Sequence, residues 1–404
     1  MQTFIISDLH LMDREEAFLF NRKKEIAFCA LVENVLRASG QLILAGDIFD
    51  FTGLTPCLKG QVEFFREACP DHSLSAAELA KLCRSRTTEE LLLDIKEAFP
   101  DFFTALAALA HAGRLCYIPG NHDCDFLNPE AQAIFAKVLA VPANRIRWQN
   151  QLVVDQKIIV AHGNEFDPPN NTARGCANPG FTFTSALYGS VLPALKMLNV
   201  DALAVAAIPA VRPEEATVTG LQYHLGGETC QRVLLAFVRL LQRNGFFTGL
   251  AALPAWFITK HVPIVSTLFR RGVTTKRVAR LLPKEKLLIA SGRDGAKKLR
   301  ARATATDAAL LNATVVLGHT HEFDLQPGYV NLGTWIDHIT GLHPVEITAA
   351  DSNLAVFVLN ENGTTHVYNI EDLQRGDDLF RSPILTGGLS SSRNETASVS
   401  DVPL

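Results

Sequence analysis

Little in this sequence is extreme, and what is scarce narrows the choice. Methionine and tryptophan occur three times each and tyrosine five times in 404 residues. The eight cysteines (Cys29, Cys57, Cys69, Cys83, Cys116, Cys124, Cys176 and Cys230) form no Cys-x-x-Cys pair. A zinc ribbon or redox motif is therefore absent, and reduced, structural thiols are expected. Charged residues make up 20% and apolar residues 48%, which excludes coiled-coil, collagen-like and wholly disordered chains. No internal repeat is evident, so a solenoid is excluded as well. Met1-Gln2 run into Thr3-Phe-Ile-Ile without a basic n-region, so a cleaved signal peptide is not expected and the cytoplasm is the expected compartment.

The net charge of −4 conceals an uneven distribution. From Thr229 to Arg302 there are 16 Lys and Arg against Glu285 and Asp294, a local +14 that leaves −18 on the rest of the chain. Such asymmetry points to an anionic partner: a membrane surface, a phosphorylated substrate or nucleic acid.

Short apolar runs recur along the chain: Phe4-Ile-Ile-Ser, Gln41-Leu-Ile-Leu-Ala, Leu115-Cys-Tyr-Ile, Lys157-Ile-Ile-Val-Ala and Ala313-Thr-Val-Val-Leu. They read as buried strands. Apolar residues spaced by three and four predict helices over Lys24–Ala38 and Thr88–Ala112, and the alternation gives an α/β layered domain. After Gly318 the pattern is strand-like and hairpin-rich, through Tyr329-Val-Asn-Leu, Leu354-Ala-Val-Phe-Val-Leu, a Glu361-Asn-Gly turn and His366-Val-Tyr-Asn-Ile. The domain thus comprises residues 1–166 and 303–375, interrupted by a helical insertion over 167–302, with a smaller helical excursion over 52–86 and a frayed tail over 376–404.

Five motifs sit where strands end: Asp8-Leu-His10, Gly46-Asp47-Ile-Phe-Asp50, Gly120-Asn121-His122-Asp123, Ala161-His162-Gly163 and Gly318-His319-Thr-His321. Each alone is an ordinary turn sequence. Together they bring carboxylate, imidazole and amide oxygen to the carboxyl ends of five strands, where α/β sheets place their sites. Oxygen and nitrogen donors without thiolate suit Mn, Fe, Mg or Co, and seven donors exceed the needs of one ion. Two cations sharing a carboxylate fit the count, and such a pair clamps a phosphoryl group. Asp50 and Asp123 would serve equally well as loop caps. His72, His111, His224, His261, His343 and His366 lack motif context, whereas His338, in Asn331-Leu-Gly-Thr-Trp-Ile-Asp-His, lies close enough to the last motif to line a pocket.

These blocks, in this order, resemble the calcineurin-like metallophosphoesterase superfamily and span about three quarters of the chain. The resemblance implies a four-layer α/β/β/α sandwich and two divalent cations, manganese first, with Fe, Mg, Co or Zn also compatible. It implies that Asp8, His10 and His321 hold one ion, that Asn121, His162 and His319 hold the other, and that Asp47 bridges them. It also implies that His122 acts as the general acid, held by Asp50, in direct in-line hydrolysis of a phosphoester or pyrophosphate. Within the superfamily the chain is similar to the UDP-2,3-diacylglucosamine pyrophosphohydrolases, which receive acyl chains under an inserted helical cap. It departs from them in its Gly120-Asn-His-Asp, where they carry Gly-Asn-Arg-Asp, and in a longer insertion.

That insertion is apolar and basic at once. Between Arg243 and Lys260 lie 16 uncharged residues including Pro254, too few for a spanning helix. An interfacial hairpin, gaining ~1 kcal/mol per basic residue near an anionic surface, competes with a cap packed on the catalytic domain. The functional expectation is a dimetal hydrolase acting on an amphiphilic or lipid-linked phosphoester, peripheral on the inner membrane face. The alternatives are a nuclease, favoured by the local +14, and a membrane scaffold without chemistry.

Overall fold

The computed structural model describes residues 1–245, 300–301, 313–339, 349–350, 355–360, 364–369 and 385–388, apart from short stretches at 16–17, 54–57, 156–157, 168–169, 174, 177 and 212–214. Two mixed sheets dominate. The larger has the order β14-β13-β12-β1-β2-β3-β4. Its strands β1 (Thr3–Ile6), β2 (Gln41–Ala45), β3 (Leu115–Ile118) and β4 (Ile146–Trp148) run parallel. On its other side β12 (Ala355–Leu359), β13 (Thr364–Asn369) and β14 (Leu385–Gly388) pair antiparallel. The second sheet has the order β5-β6-β7-β9-β8, built from β5 (Leu152–Val154), β6 (Ile158–Val160), β7 (Thr314–Leu317), β8 (Phe323–Gln326) and β9 (Tyr329–Leu332). A two-stranded ribbon joins β10 (His338–Ile339) to β11 (Ala349–Ala350).

The parallel strands are apolar on both faces because both are covered. On one face Ile5, Ile43, Ala45, Cys116 and Ile118 of the larger sheet meet Val154, Ile158, Val160, Val316, Val330 and Leu332 of the smaller. The opposite face presents Phe4, Ile6, Leu42, Leu44 and Tyr117 to the helices α1 (Arg22–Arg37), α4 (Thr88–Ala98), α5 (Pro100–His111) and α6 (Pro129–Val138). Helix starts follow local chemistry. The Asn21 side chain accepts from the Lys24 N–H at 3.2 Å, and Thr87 forms a reciprocal capping box with Glu90. The continuous helix expected over 88–112 is two helices. Proline at 100 lacks the N–H that an uninterrupted ladder needs, and it occupies the first turn of α5 instead.

The helical insertion occupies the parallel crossover from β6 to β7. Its helices α7 (Pro179–Ala186), α8 (Leu192–Met197), α9 (Ala202–Ala207) and α10 (Glu215–Arg243, broken at Gly226) do not pack alone. They share a second core with α2 (Gln61–Ala68) and α3 (Ala76–Leu82), in which Phe64, Phe65 and Cys69 meet Leu192, Leu195, Val233, Leu240 and Leu241, with Leu79 and Leu82 packed against it. The two sequence excursions are therefore one helical unit. Among the described residues no helix is long and apolar enough to cross a membrane. The apolar 245–259 segment beyond Gly245, the basic run after Arg270, His261, His343 and Cys57 lie outside the described residues.

Of the stretch 376–404 only Leu385–Gly388 is described, and it adds β14 to the edge of the larger sheet, with Thr365 opposite Gly387. One expectation needs correction, because the thiols are not all reduced: Cys124 and Cys176, 52 residues apart, form a disulfide. That pairing has no local sequence signature because it links the end of one strand loop to the start of the insertion. Cys29, Cys69, Cys116 and Cys230 form no disulfide among the described residues.

Candidate metal centre

The parallel strands β1, β2 and β3 of one sheet, and β6 and β7 of the other, end at the same edge of the sandwich. The loops leaving them carry Asp8 and His10, Asp47 and Asp50, Asn121 and His122, His162, and His319 and His321. Packing fixes these loops. Phe49 and Phe51 flank Asp50 and are fully buried. Phe49 lies against Phe102, Phe103, Phe126 and Phe135, and Phe51 against Phe49 and Phe126. Each such ring contributes ~1.5–3 kcal/mol, which holds the intervening Asp50 carboxylate toward the site.

Asp8, His10, Asp47, His319 and His321 all have left-handed backbones, with φ between 53° and 73°. They are five of the nine non-glycine residues in that region among those described. Each costs ~1 kcal/mol or more and persists only where the surroundings impose it, a concentration typical of functional sites. The glycines of the motifs serve close approach. A Cβ on Gly120 would lie 2.1 Å from Asp47 Oδ1, and one on Gly318 would lie 2.1 Å from Asp8 Oδ2.

The side chains converge in three groups: Asp8 with His10 and His321; Asp47 with His162 and His319; and His10 with Asp50 and His122, the first and the last sharing His10. Asp47 Oδ2 joins the first two, lying 3.1 Å from His162 Nε2 and 3.9 Å from His10 Nε2. His162 donates Nδ1–H to the Ala45 carbonyl (2.9 Å), which directs Nε2 toward Asp47 and toward Asn121 Oδ1 at 3.2 Å. His10 and His321 bring their Nε2 atoms within 3.0 Å of each other, and His321 Nε2 lies 3.4 Å from Asp8 Oδ1. Backbone groups orient the carboxylates. The N–H of His319 donates to Asp8 (3.0 Å), and that of His122 donates to Asp47 Oδ1 (2.7 Å).

Electrostatics follow from burial and proximity. Burial alone would raise the Asp8 carboxyl, but His10, His321 and His162 together hold it well below the usual carboxylate range. Asp47 is likewise lowered against burial by His162, His122 and His10, and Asp50 by His122 and His10. Burial would depress the imidazoles, yet Asp50, Asp8 and Asp47 lift His10 to about 10, and Asp47 and Asp8 lift His162 to about 10. His122 is also raised against burial, chiefly by Asp50 and Asp47. Its Nδ1 faces Asp50 Oδ1 at 3.0 Å and the Thr52 hydroxyl at 2.9 Å, while that hydroxyl donates to Asp50 at 2.6 Å.

Asp123 has the capping role. It accepts from the N–H of Ile48 (2.8 Å), the N–H of Gly120 (2.6 Å) and the Tyr117 hydroxyl (2.6 Å). Burial and neighbouring Asp47 push its carboxyl up to about 6. The segment after the last motif is scaffolding: Thr334 Oγ1 and Trp335 N both donate to the Asp8 carbonyl (3.0 Å each), and the side chain of His338 lies outside the described residues. Two participants carried no sequence signal. Thr52 bridges Asp50 and His122, and Asp167, at the first position of the insertion, lies 3.0 Å from His319 Nε2. Both fall just outside the motif blocks; a Thr two residues past the acidic position and an Asp five past His162 become meaningful only once the loops are folded.

Compared with models of protein families and with curated proteins, the chain gives no match in either.

Proposed function

We propose that the chain is a dimetal phosphoester or pyrophosphate hydrolase, and that its two-sheet core is the centre of the four-layer α/β/β/α metallophosphoesterase sandwich. The observation that carries this is the convergence of buried Asp and His groups from five strand ends on one edge, with Asp47 Oδ2 lying between His162 Nε2 (3.1 Å) and His10 Nε2 (3.9 Å) of a neighbouring group. The donor set suits hard or borderline divalent cations: carboxylate, imidazole and amide oxygen, with no thiolate. Asp8, His10 and His321 would hold one, Asn121, His162 and His319 the other, with Asp47 shared. When bound, such a pair supplies Lewis acidity to a phosphoryl oxygen and lowers the pKa of a coordinated water.

The chain's own residues supply the remainder. With Nδ1 of His122 engaged by Asp50 and Thr52, Nε2 is the atom that presents a proton, and the adjacent carboxylates favour the cationic ring. A departing alkoxide or phosphate oxygen takes that proton. The His122 side chain is 17% exposed against 2% for Asp50, so the donor faces the opening while its anchor stays dry.

An amphiphilic substrate is the reading that best suits the helical unit. A cavity of about 200 Å³ lies between the loop after β1 and helices α8 and α9, lined by Arg14, Leu19, Tyr188, Leu192, Lys196 and Val205. Tyr188 also borders Gly53, in the loop of Asp50, and Ser185 Oγ donates to the Thr52 carbonyl at 2.8 Å. The described arginines of the basic stretch are engaged within the chain: Arg232 donates to the Ala68 carbonyl at 3.3 Å, and Arg239 pairs with Glu67 at 2.7 Å, Arg243 with Glu63 at 3.9 Å, and Arg300 with Asp324 at 2.6 Å. These pairs favour a packed cap over a nucleic-acid track. The strained ligand loops argue against a scaffold without chemistry.

The test is turnover of p-nitrophenyl phosphate, its bis-ester, an acyl-chain pyrophosphate and single-stranded DNA with Mn²⁺, using Asp47→Asn as control. Metal-dependent cleavage of a small or lipid-linked ester, abolished in the variant, is expected. Absence of turnover on every ester would sink the proposal. Sedimentation with anionic liposomes at low salt separates membrane docking, which predicts pelleting, from a cap alone.

A further inference from the structure

Asp167 stands apart from the motif residues. It opens the long crossover, is 2% exposed, and points Oδ2 at His319 Nε2 across 3.0 Å. The same oxygen accepts from Asn170 Nδ2 at 2.6 Å, and the Asn170 N–H donates to the Asp167 carbonyl at 2.9 Å. Asn170 is fixed in turn, because its carbonyl accepts from Asn164 Nδ2 at 3.1 Å. A few residues on, Cys176 is bonded to Cys124, which follows His122-Asp123 directly. The other oxygen, Oδ1, is buried without a hydrogen-bond partner among the described residues.

We infer that Asp167 is a positioning residue for the cation site of Asn121, His162 and His319: it holds the His319 ring in the Nε2–H tautomer, so that Nδ1 becomes its donor atom. A neutral imidazole has one N–H and one lone pair, and a carboxylate that takes the N–H decides which nitrogen keeps the lone pair. Carboxylate partners of ligating histidines orient the ring and raise its basicity, and their loss costs 10–100-fold in metal affinity. Asp167 thereby makes the helical insertion part of the metal centre, because the residue that aims His319 belongs to the crossover and not to the sandwich. His162 is oriented by the Ala45 carbonyl of the sandwich itself, so of these two histidines only His319 depends on the insertion.

Asp167's role presupposes the cation pair proposed above, and calorimetric titration of the full chain with Mn²⁺ separates the two. The variants are Asp167→Ala and Asp167→Asn. Asparagine retains an oxygen to accept from His319 and Asn170, and its amide NH₂ takes the place of the unpartnered Oδ1, so no existing hydrogen bond is lost. Wild type should bind two ions. Asp167→Ala should bind one with unchanged affinity and the other 10–100-fold more weakly, and Asp167→Asn should restore the second to within a few-fold. Histidine-selective ¹⁵N spectra, assigned with His319→Gln, should show the Nε2–H form in wild type and Asp167→Asn, and a tautomer mixture in Asp167→Ala. Unchanged binding in Asp167→Ala, equal weakening of both sites, or failure of asparagine to rescue would each overturn the role while leaving the cation pair intact. A wild type that takes up no metal would remove the pair itself.

Discussion

Loading the centre with cations should expel protons, in a number that the structure fixes. His10 and His162 are lifted to about 10 by the surrounding carboxylates. At pH 7.5 each is therefore roughly 99% cationic in the metal-free protein. Their donor atoms are protonated in that state: His162 Nε2 faces Asp47 at 3.1 Å and Asn121 at 3.2 Å, with Nδ1–H committed to Ala45. A metal ligand must offer a lone pair, so each imidazole gives up one proton on coordination. Asp8, Asp47 and Asp50 are already ionised and release none. His10 and His162 should thus release about two protons between pH 7 and 9 when both sites fill, a contribution that falls toward zero as pH rises through about 10, and a coordinated water adds its own proton as it ionises. Through the histidines alone, overall affinity should climb about 2.7 kcal/mol per pH unit below that limit, which is twice the ~1.36 kcal/mol of a single proton. Calorimetry with Mn²⁺ in Hepes and in Tris, whose ionisation enthalpies differ, measures the proton number directly. Release near zero at pH 7.5 with a pH-independent affinity would refute the picture of cationic histidines awaiting metal.

Other perturbations follow from the same geometry. Gly120→Ala places a Cβ 2.1 Å from Asp47 Oδ1 and 2.6 Å from its backbone nitrogen; a destabilisation of ~1–3 kcal/mol with loss of bound metal is expected, read by urea unfolding and metal analysis. His122→Asn should lower turnover by ~10²–10⁴ while both ions stay bound, and equal metal loss in this variant and in Asp47→Asn would contradict the division of roles. Breaking the Cys124–Cys176 link, which closes a loop of 52 residues, should cost ~2–4 kcal/mol. Thermal unfolding of Cys176→Ser beside the wild type with and without reductant measures it, and identical midpoints in all three would show that the link is energetically idle.

Much of the centre was legible because its chemistry is written locally. Strand ends announce themselves as apolar runs stopped by Asp, Gly or His, and β1, β2, β3, β6 and β7 fall within a residue or so of the runs that predicted them. The glycines next to Asp47, Asn121 and His319 were equally visible, although their reason, room for the His162 ring beside Gly46 and for the Asp47 and Asp8 carboxylates beside Gly120 and Gly318, is a property of the folded loops. What stayed hidden depends on long-range closure. Asp167 reads as an ordinary loop residue until β6 and β7 pair across the crossover and bring it to His319, 152 residues away. Thr52 gains meaning only when the β2 and β3 loops meet. The union of α2 with α10 was equally invisible, since each helix alone shows only an apolar face, with nothing to name its partner. Pro100 was legible and was outweighed by apolar periodicity, a case where one missing N–H decides against a long pattern.

The central claim is that two cations sharing Asp47 carry out the chemistry. It is tested most directly by titrating metal-free protein with Mn²⁺ while following both bound metal and cleavage of a phosphodiester such as bis-p-nitrophenyl phosphate. Activity should rise to a plateau at two equivalents per chain, and Asp47→Asn should neither bind the second equivalent nor turn over substrate. A plateau at one equivalent, or full activity in Asp47→Asn, would contradict the account.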